Sequence, residues 1–194
     1  FKYHPFFEYN KKTYTNNVND KCISINRIDF DKNTHVILKA NNYINDDNKK
    51  VQIYGKENRL YVEFTINKKL GIKDDFIKYW KGRFAKTLPI SYEDRDILNN
   101  CKYVVDLSVI KGDGGGTQYT FLEAIYQDCV LILHKEWVDQ GTLFKDKYNC
   151  YVVGYTDNIE QELADIINKE DIDLDKSILE NSKQIMNNNI NVVW

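Results

Sequence analysis

Short β-branched runs alternate with stretches of helical spacing along most of this chain, and no other feature limits its possible folds as strongly. Six runs predict strands, at residues 21–28, 50–55, 75–82, 102–110, 129–134 and 149–155. Such alternation is typical of parallel sheets, because each crossover between parallel strands uses a helix to return the chain. The sequence therefore predicts an α/β fold, a Rossmann-like six-stranded parallel sheet with helices on both faces.

Apolar residues three or four positions apart mark the helical stretches. After the first strand these residues are Val36, Ile37, Ala40 and Ile44. In a second stretch, 56–72, we expect Leu60, Phe64 and Leu70 to face the core. Further helices are predicted at 91–100, at 158–168 and from residue 173 onward.

Composition excludes several classes of function. The 194 residues, 42% of them hydrophobic, suit one α/β domain. A net charge of −2, spread along the chain, gives no electrostatic case for nucleic acid or membrane as the main partner. The four cysteines lack C-x-x-C spacing and the three histidines do not cluster, so we expect reduced thiols, a cytoplasmic protein and no metal site. His134, at the end of a predicted strand, either faces a cleft or is a capped strand-end residue.

Four of the nine glycines lie between residues 112 and 116, after a predicted strand and before a helix. Glycine allows backbone N–H groups to approach a phosphate closely, and a helix N-terminus favours anions. The loop lacks the Gly-Lys-Ser/Thr of a P-loop, and no G-x-G-x-x-G follows the first strand. A phosphate-binding loop and a surface turn without a ligand both fit this sequence.

Glu123, which follows this loop, also has two interpretations. With Thr120 it fits a capping box, in which the glutamate accepts a hydrogen bond from a free N–H at the start of a helix. Alternatively its carboxylate accepts hydrogen bonds from the hydroxyls of a nucleotide ribose. The residues alone leave both interpretations open.

The order of these features resembles the C-terminal, donor-binding domain of GT-B-fold retaining glycosyltransferases of the glycogen-synthase-like group, over roughly residues 21–167. "NRIDFDKN" (26–33) resembles the Arg-x-x-x-x-Lys element of that family. "VQIYG" and "WKGRF" resemble its strand–glycine steps, and "GGTQYTFLEA" resembles its Glu-x7-Glu element. The resemblance implies one GT-B half, with a nucleotide-sugar-binding domain at 21–172 between a linker at 1–20 and a helical tail at 173–194.

The resemblance also implies a site. Arg27 and Lys32 would clamp the donor diphosphate and stabilise it as a leaving group without a metal, and Glu123 would hold the ribose. Other substrate-binding positions fall on Gly82, Arg83, Asp113, Gly114, Gly115, Gly116, Thr117, Gln118, Tyr119 and Thr120. No cofactor is implied, since a nucleoside-diphosphate sugar is the donor substrate. An Arg or Lys near a strand end is also often only a solvated charge.

Two positions depart from the family pattern. The first glutamate of the Glu-x7-Glu element falls on Gly115, although Asp113 offers a carboxylate in a shifted register. The glycine that follows the lysine in the family is Asn33 here. These departures bear on the expected contact with the sugar more than on the expected contact with the diphosphate.

The leading interpretation is the donor-binding half of a retaining glycosyltransferase. It would be inactive alone, because the acceptor-binding N-terminal domain is not in this chain. The alternative is a non-catalytic nucleotide- or sugar-binding module of the same fold, which Gly115 favours. A Rossmann-like epimerase is disfavoured, since the early glycine fingerprint is lacking. The sugar, the base and the acceptor stay open.

Overall fold

Five parallel strands form the sheet in the computed structural model, which describes residues 21–82, 97–98, 101–109, 119–139 and 142–189. They are β1 Lys21–Ile25, β2 Gln52–Tyr54, β3 Cys101–Asp106, β4 Val130–His134 and β5 Tyr151–Val153. Their spatial order is β2-β1-β3-β4-β5, and each neighbouring pair is parallel. The predicted α/β fold with a parallel sheet is confirmed, but with five strands among these residues instead of six.

Seven helices accompany the strands in the described ranges. They are α1 Thr34–Ala40, α2 Tyr61–Lys69, α3 Lys73–Tyr79, α4 Tyr119–Tyr126, α5 Lys135–Val138, α6 Ile159–Lys169 and α7 Ile172–Asn189. A short 3-10 turn, Asp47–Lys49, precedes β2. The helix predicted at 91–100 lies outside the described residues apart from 97–98. None of the helices described has the length and apolar character needed to cross a membrane.

The prediction of a third strand at 75–82 was wrong. Most of this segment belongs to α3, and after the helix a single parallel bridge joins Trp80 to Ile53 of β2, with a hydrogen bond from Lys81 N to Ile53 O at 2.8 Å. Phe76 and Tyr79 are buried at helical spacing, and the acidic residues Asp74 and Asp75 lie in the first turn, where the helix dipole favours them. A short apolar run fits either type of element, and here the helix prevails.

The prediction for the buried face of 56–72 was also wrong in part. Leu60 and Phe64 are 62% and 53% exposed, whereas Tyr61 and Ile66 are fully buried. The backbone of α2 has π-type hydrogen bonds, as in the bond from Leu70 N to Thr65 O at 3.0 Å. A π-helix has a longer period than an α-helix. Residues five apart therefore share the inward face, which a 3.6-residue period does not predict.

Alternation along the strands fills two hydrophobic layers, one on each face of the sheet. On β3, Tyr103 and Val105 contribute to the layer that includes residues of α1 and α6. Val104 contributes to the opposite layer, with residues of α4 and α5. Successive strand side chains point to opposite faces, so a strand covered on both sides is apolar throughout. The four cysteines are buried thiols in these layers.

The strand order places a topological switch point between β1 and β3. From β1 the chain passes outward to β2 on one side and then returns to β3 on the other side. In open parallel sheets, ligands bind in the crevice outside the carboxyl ends of the strands at such a point. The connections that follow β1 and β3 are therefore where a ligand site is expected.

Candidate functional site

The β1–α1 loop, residues 26–33, is held against the segment that follows β2. Asn26 N donates to Tyr54 O at 3.2 Å, and Ile28 N donates to Lys56 O at 3.0 Å. The Asn58 side-chain amide donates to Asp29 Oδ1 at 2.9 Å. These bonds fix the loop that carries both residues of the predicted diphosphate clamp.

Arg27 and Lys32 have very different environments in this loop. The Arg27 side chain is 69% exposed, with Nη1 3.9 Å from Asp29 Oδ2. The Lys32 side chain is only 11% exposed, and its Nζ atom lies 3.5 Å from Asp31 Oδ2. Lys32 is thus not the solvated charge that a lone lysine usually is. Arg27 is free of such burial, and its long side chain can reach a ligand at the loop surface.

Two hydrogen bonds join this loop to the residues after β3. Asn33 Nδ2 donates to Leu107 O at 3.0 Å, and Val109 N donates to Asp31 O at 3.0 Å. Asn33 has a φ of 50°, in the left-handed region that favours glycine and that asparagine tolerates best among the other residues. The departure from the family's glycine therefore keeps a glycine-like backbone and adds a side-chain bond across the switch point.

The two predicted glycine steps meet beside this loop. Gly55 N donates to Gly82 O at 2.9 Å, and Trp80 Nε1 donates to Gly55 O at 3.0 Å. Gly82 has a φ of 102° and open space around the position of a Cβ atom. Gly82 is thus brought to the same edge of the sheet as Arg27 and Lys32, whereas Arg83 lies outside the described residues.

Asp106, the last residue of β3, has a buried carboxyl group that the sequence analysis did not single out. It is 2% exposed, and its Oδ1 atom accepts hydrogen bonds from Ser108 N at 2.8 Å and from the Ser108 hydroxyl. Burial raises the pKa of its carboxyl group, while Ser108 and Lys32 act in the opposite direction. One signal could have identified it: an aspartate inside the otherwise apolar run "KYVVDLSVI".

Glu123 lies on the first helix after the glycine loop, and its residue is half-buried. Thr120 is the second residue of α4, which begins at Tyr119, so it does not occupy the N-cap position that the capping-box interpretation requires. That interpretation was wrong for this pair. The ribose interpretation of Glu123 stays a prediction.

Most of the loop itself falls outside the described residues. This applies to six predicted binding residues, namely Asp113, Gly114, Gly115, Gly116, Thr117 and Gln118. For Tyr119 the backbone alone is described, as the start of α4. The structure thus locates both ends of the loop, at residue 109 and at residue 119, but not its course.

His134 is a capping residue at the end of β4. Its residue is 5% exposed, and Nδ1 accepts a hydrogen bond from Glu136 N at 3.3 Å, at the start of α5. Burial lowers the pKa of the imidazole. Within the described ranges, no group of three or more His, Cys, Asp or Glu residues is arranged to hold a metal ion.

Sequence comparisons give no relative: no protein-family model and no curated protein matches the chain. Solved structures share its fold. HepE from Anabaena, crystallised with UDP and glucose, is 19% identical with a TM-score of 0.62, over 87% of this chain and 43% of HepE. The pneumococcal O-GlcNAc transferase GtfA, crystallised with UDP and GlcNAc, is 17% identical with a TM-score of 0.60, over 88% of this chain and 32% of GtfA.

A third structure corresponds to one domain. It is the C-terminal domain of LpcC, a glycosyl transferase group 1 family protein from Francisella tularensis, and it is 19% identical with a TM-score of 0.63. The match covers 89% of this chain and 87% of that domain. The predicted fold, that of a GT-B glycosyltransferase C-terminal domain, is confirmed. The chain spans less than half of the length of HepE or GtfA.

Proposed function

We propose that this chain is the donor-binding half of a retaining glycosyltransferase and that it binds a nucleoside-diphosphate sugar at the switch point between β1 and β3. One observation carries the proposal: the loop with Arg27 and Lys32 is bonded directly to the residues that lead into the glycine loop. Basic side chains bonded to the start of a connection whose sequence is rich in glycine suit a diphosphate. Two structures of the same fold contain UDP.

The two basic residues would have separate tasks. Arg27 is exposed and flexible enough to form a bidentate pair with a phosphate that arrives from solvent. Lys32 is buried and fixed, so its charge is already in place before the donor binds. Positive charge that is positioned in advance stabilises the negative charge that develops on the leaving diphosphate. With these two roles, Arg27 and Lys32 would stabilise the departing diphosphate without a metal ion or a cofactor.

Glu123 would accept hydrogen bonds from the ribose hydroxyls. α4 follows the glycine loop, so phosphate-binding and sugar-binding groups would come from consecutive positions of one connection. Retention of anomeric configuration is proposed from the order of the Arg27–Lys32 and Glu123 elements, which matches the retaining enzymes that the sequence resembles.

Transfer would need a second domain. GT-B enzymes place the acceptor on another α/β domain, and this chain covers 43% of HepE and 32% of GtfA. We therefore expect the chain alone to bind the donor without transferring its sugar. The second candidate, a non-catalytic binding module, is favoured by Gly115 in place of a glutamate. Such a module would bind nucleotide but transfer no sugar, even when joined to a second domain.

Calorimetric titration tests the proposal. UDP-glucose, GDP-mannose and ADP-glucose are titrated into the chain. Free glucose and mannose serve as controls, because they measure any binding that depends on the sugar alone. At least one nucleotide sugar should bind, and Arg27→Ala should weaken that binding. Lys169→Ala is the matched control, because Lys169 is 75% exposed at the end of α6 and away from the β1–α1 loop. No heat from any nucleotide sugar at millimolar concentration would contradict the proposal.

A further inference from the structure

Asp106 combines complete burial with an incompletely bonded carboxylate. Oδ1 accepts two hydrogen bonds from Ser108, whereas Oδ2 is buried and accepts none from the described residues. The Asn26 amide also favours the charged form, although no hydrogen bond of normal geometry joins it to Oδ2. A buried carboxylate is costly unless its oxygens are bonded, so such an exception requires an explanation.

The positive charge of Lys32 favours the ionised form of Asp106 and so lowers the pKa of this carboxyl group. The two side chains belong to different connections, the β1–α1 loop and the end of β3. The bonds from Asn33 to Leu107 and from Val109 to Asp31 hold these connections together. Asp31, whose Oδ2 lies 3.5 Å from Lys32 Nζ, is the other acidic group at this lysine. Lys32 therefore lies within ion-pair distance of Asp31 and also favours the ionised form of the buried Asp106.

We infer that Asp106 is a positioning residue of the diphosphate site, which orients the start of the β3–α4 connection through Ser108 and acts on the bound diphosphate through Lys32. The inference rests on the proposed function, because it takes Lys32 as a ligand of the diphosphate. Asp106 does not touch the donor, since its residue is only 2% exposed.

This arrangement has a consequence for protons. A diphosphate that pairs with Lys32 adds negative charge beside Asp106 and takes part of its counter-charge. Both effects favour the neutral acid, and burial already raises the pKa of this carboxyl group. Asp106 should therefore take up a proton from solvent when the diphosphate binds, at Oδ2, while the ligand stays chemically unchanged. By linkage, affinity for the diphosphate then falls as the pH rises through the titration of Asp106.

Carbon NMR of protein labelled at the aspartate carboxyl groups measures this directly, with UDP as the probe. The resonance that is missing from Asp106→Asn identifies Asp106. Its titration midpoint should rise by about 1 pH unit when UDP saturates the protein. The affinity for UDP should correspondingly be about tenfold weaker at pH values above the titration of Asp106 than at pH values below it. Asp106→Asn keeps an oxygen acceptor for Ser108 but cannot ionise, so the affinity of this variant for UDP should not decline over the same pH values. UDP itself also ionises, but this affects both proteins equally.

Ser108→Ala provides a second variant that does not alter the carboxyl group. The Ser108 hydrogen bonds lower the pKa of Asp106, so this variant should raise the midpoint before any UDP is added. The same shift identifies the Asp106 resonance if Asp106→Asn does not fold. A midpoint that UDP leaves unchanged, in a protein that binds UDP, overturns the inference and leaves the proposed function intact. A protein that binds neither UDP nor pyrophosphate contradicts both.

Discussion

Gly55 N donates a hydrogen bond to Gly82 O at 2.9 Å, so the two strand–glycine steps that stand far apart in the sequence are bonded to each other. Gly55 also lies against the start of the β1–α1 loop: a Cβ atom there would be 1.7 Å from Asn26 O. The contact leaves no room for any side chain. It is this close approach that brings the segment after β2, the segment after Trp80 and the β1–α1 loop to one edge of the sheet.

Gly55→Ala should therefore destabilise the protein strongly. We expect a loss of about 4 kcal/mol or more in the free energy of unfolding, because backbone must move to admit the methyl group. Gly71→Ala is the matched control. Both glycines have a positive φ, 153° at Gly55 and 66° at Gly71, but at Gly71 nothing lies within 4 Å of the new Cβ atom. Backbone strain alone should cost it about 1 kcal/mol. Urea denaturation compares the two, and equal losses would show that the contact with Asn26 does not matter.

Arg27→Ala and Lys32→Met should both weaken binding of UDP, by about ten- to a hundredfold each, since a charge-assisted hydrogen bond contributes about 1.5–3 kcal/mol. Their effects on stability should differ. Arg27 is exposed, so its loss should leave the melting temperature unchanged, whereas Lys32 is buried beside Asp31 and acts on Asp106. We expect Lys32→Met to melt lower. Calorimetry and thermal melts on the same samples separate the two effects, and unchanged UDP affinity in both variants would exclude the clamp.

Glu123→Gln tests the contact with the ribose. The variant should stay folded, lose affinity for UDP and keep its affinity for pyrophosphate, because glutamine preserves the shape of the side chain but not its charge. The protein should prefer UDP to its 2′-deoxy and 3′-deoxy analogues, and the variant should not. If both proteins treat ribose and deoxyribose alike, Glu123 does not contact the sugar.

Tyr103→Phe tests how α7 is attached to the sheet. Asp175 of α7 accepts hydrogen bonds from Tyr103 at 2.7 Å and Tyr151 at 2.8 Å, and Lys102 Nζ lies 3.1 Å from it. Removing one hydrogen bond to this buried carboxylate should cost about 1.5–3 kcal/mol of unfolding free energy. Tyr155→Phe, at a tyrosine that is 56% exposed, should cost almost nothing. Similar urea midpoints for the two variants would contradict this role of Asp175.

The sheet was predictable because its signal is local. A central parallel strand is buried on both faces, so runs such as "CVLILH" are apolar throughout, and β4 begins within one residue of the prediction. The segment 75–82 was not predictable in the same way. The spacing of Phe76 and Tyr79 is helical, but a short aromatic and apolar run ended by glycine also resembles a strand, and the choice depends on the packing of α3 against the rest of the chain.

The candidate site was predictable only where a motif marks it. Arg27 and Lys32 follow β1 and Gly82 follows α3, and the structure brings all three residues to one edge of the sheet. The burial of Lys32 and its effect on Asp106 depend on two connections that are joined by a hydrogen bond between residues 74 positions apart in the chain, and no short-range pattern encodes such an arrangement. Asn33 shows the same limit, since its bond to Leu107 explains a departure from the motif only once the fold is known.

A crystal structure of the chain soaked with UDP-glucose would show directly whether the switch point between β1 and β3 binds the donor. We expect the diphosphate in the crevice between the β1–α1 loop and the β3–α4 connection, within hydrogen-bonding distance of Arg27 and Lys32, and the ribose at Glu123. UDP-glucose bound elsewhere on the molecule, or a crevice that stays empty at millimolar ligand, would contradict this expectation.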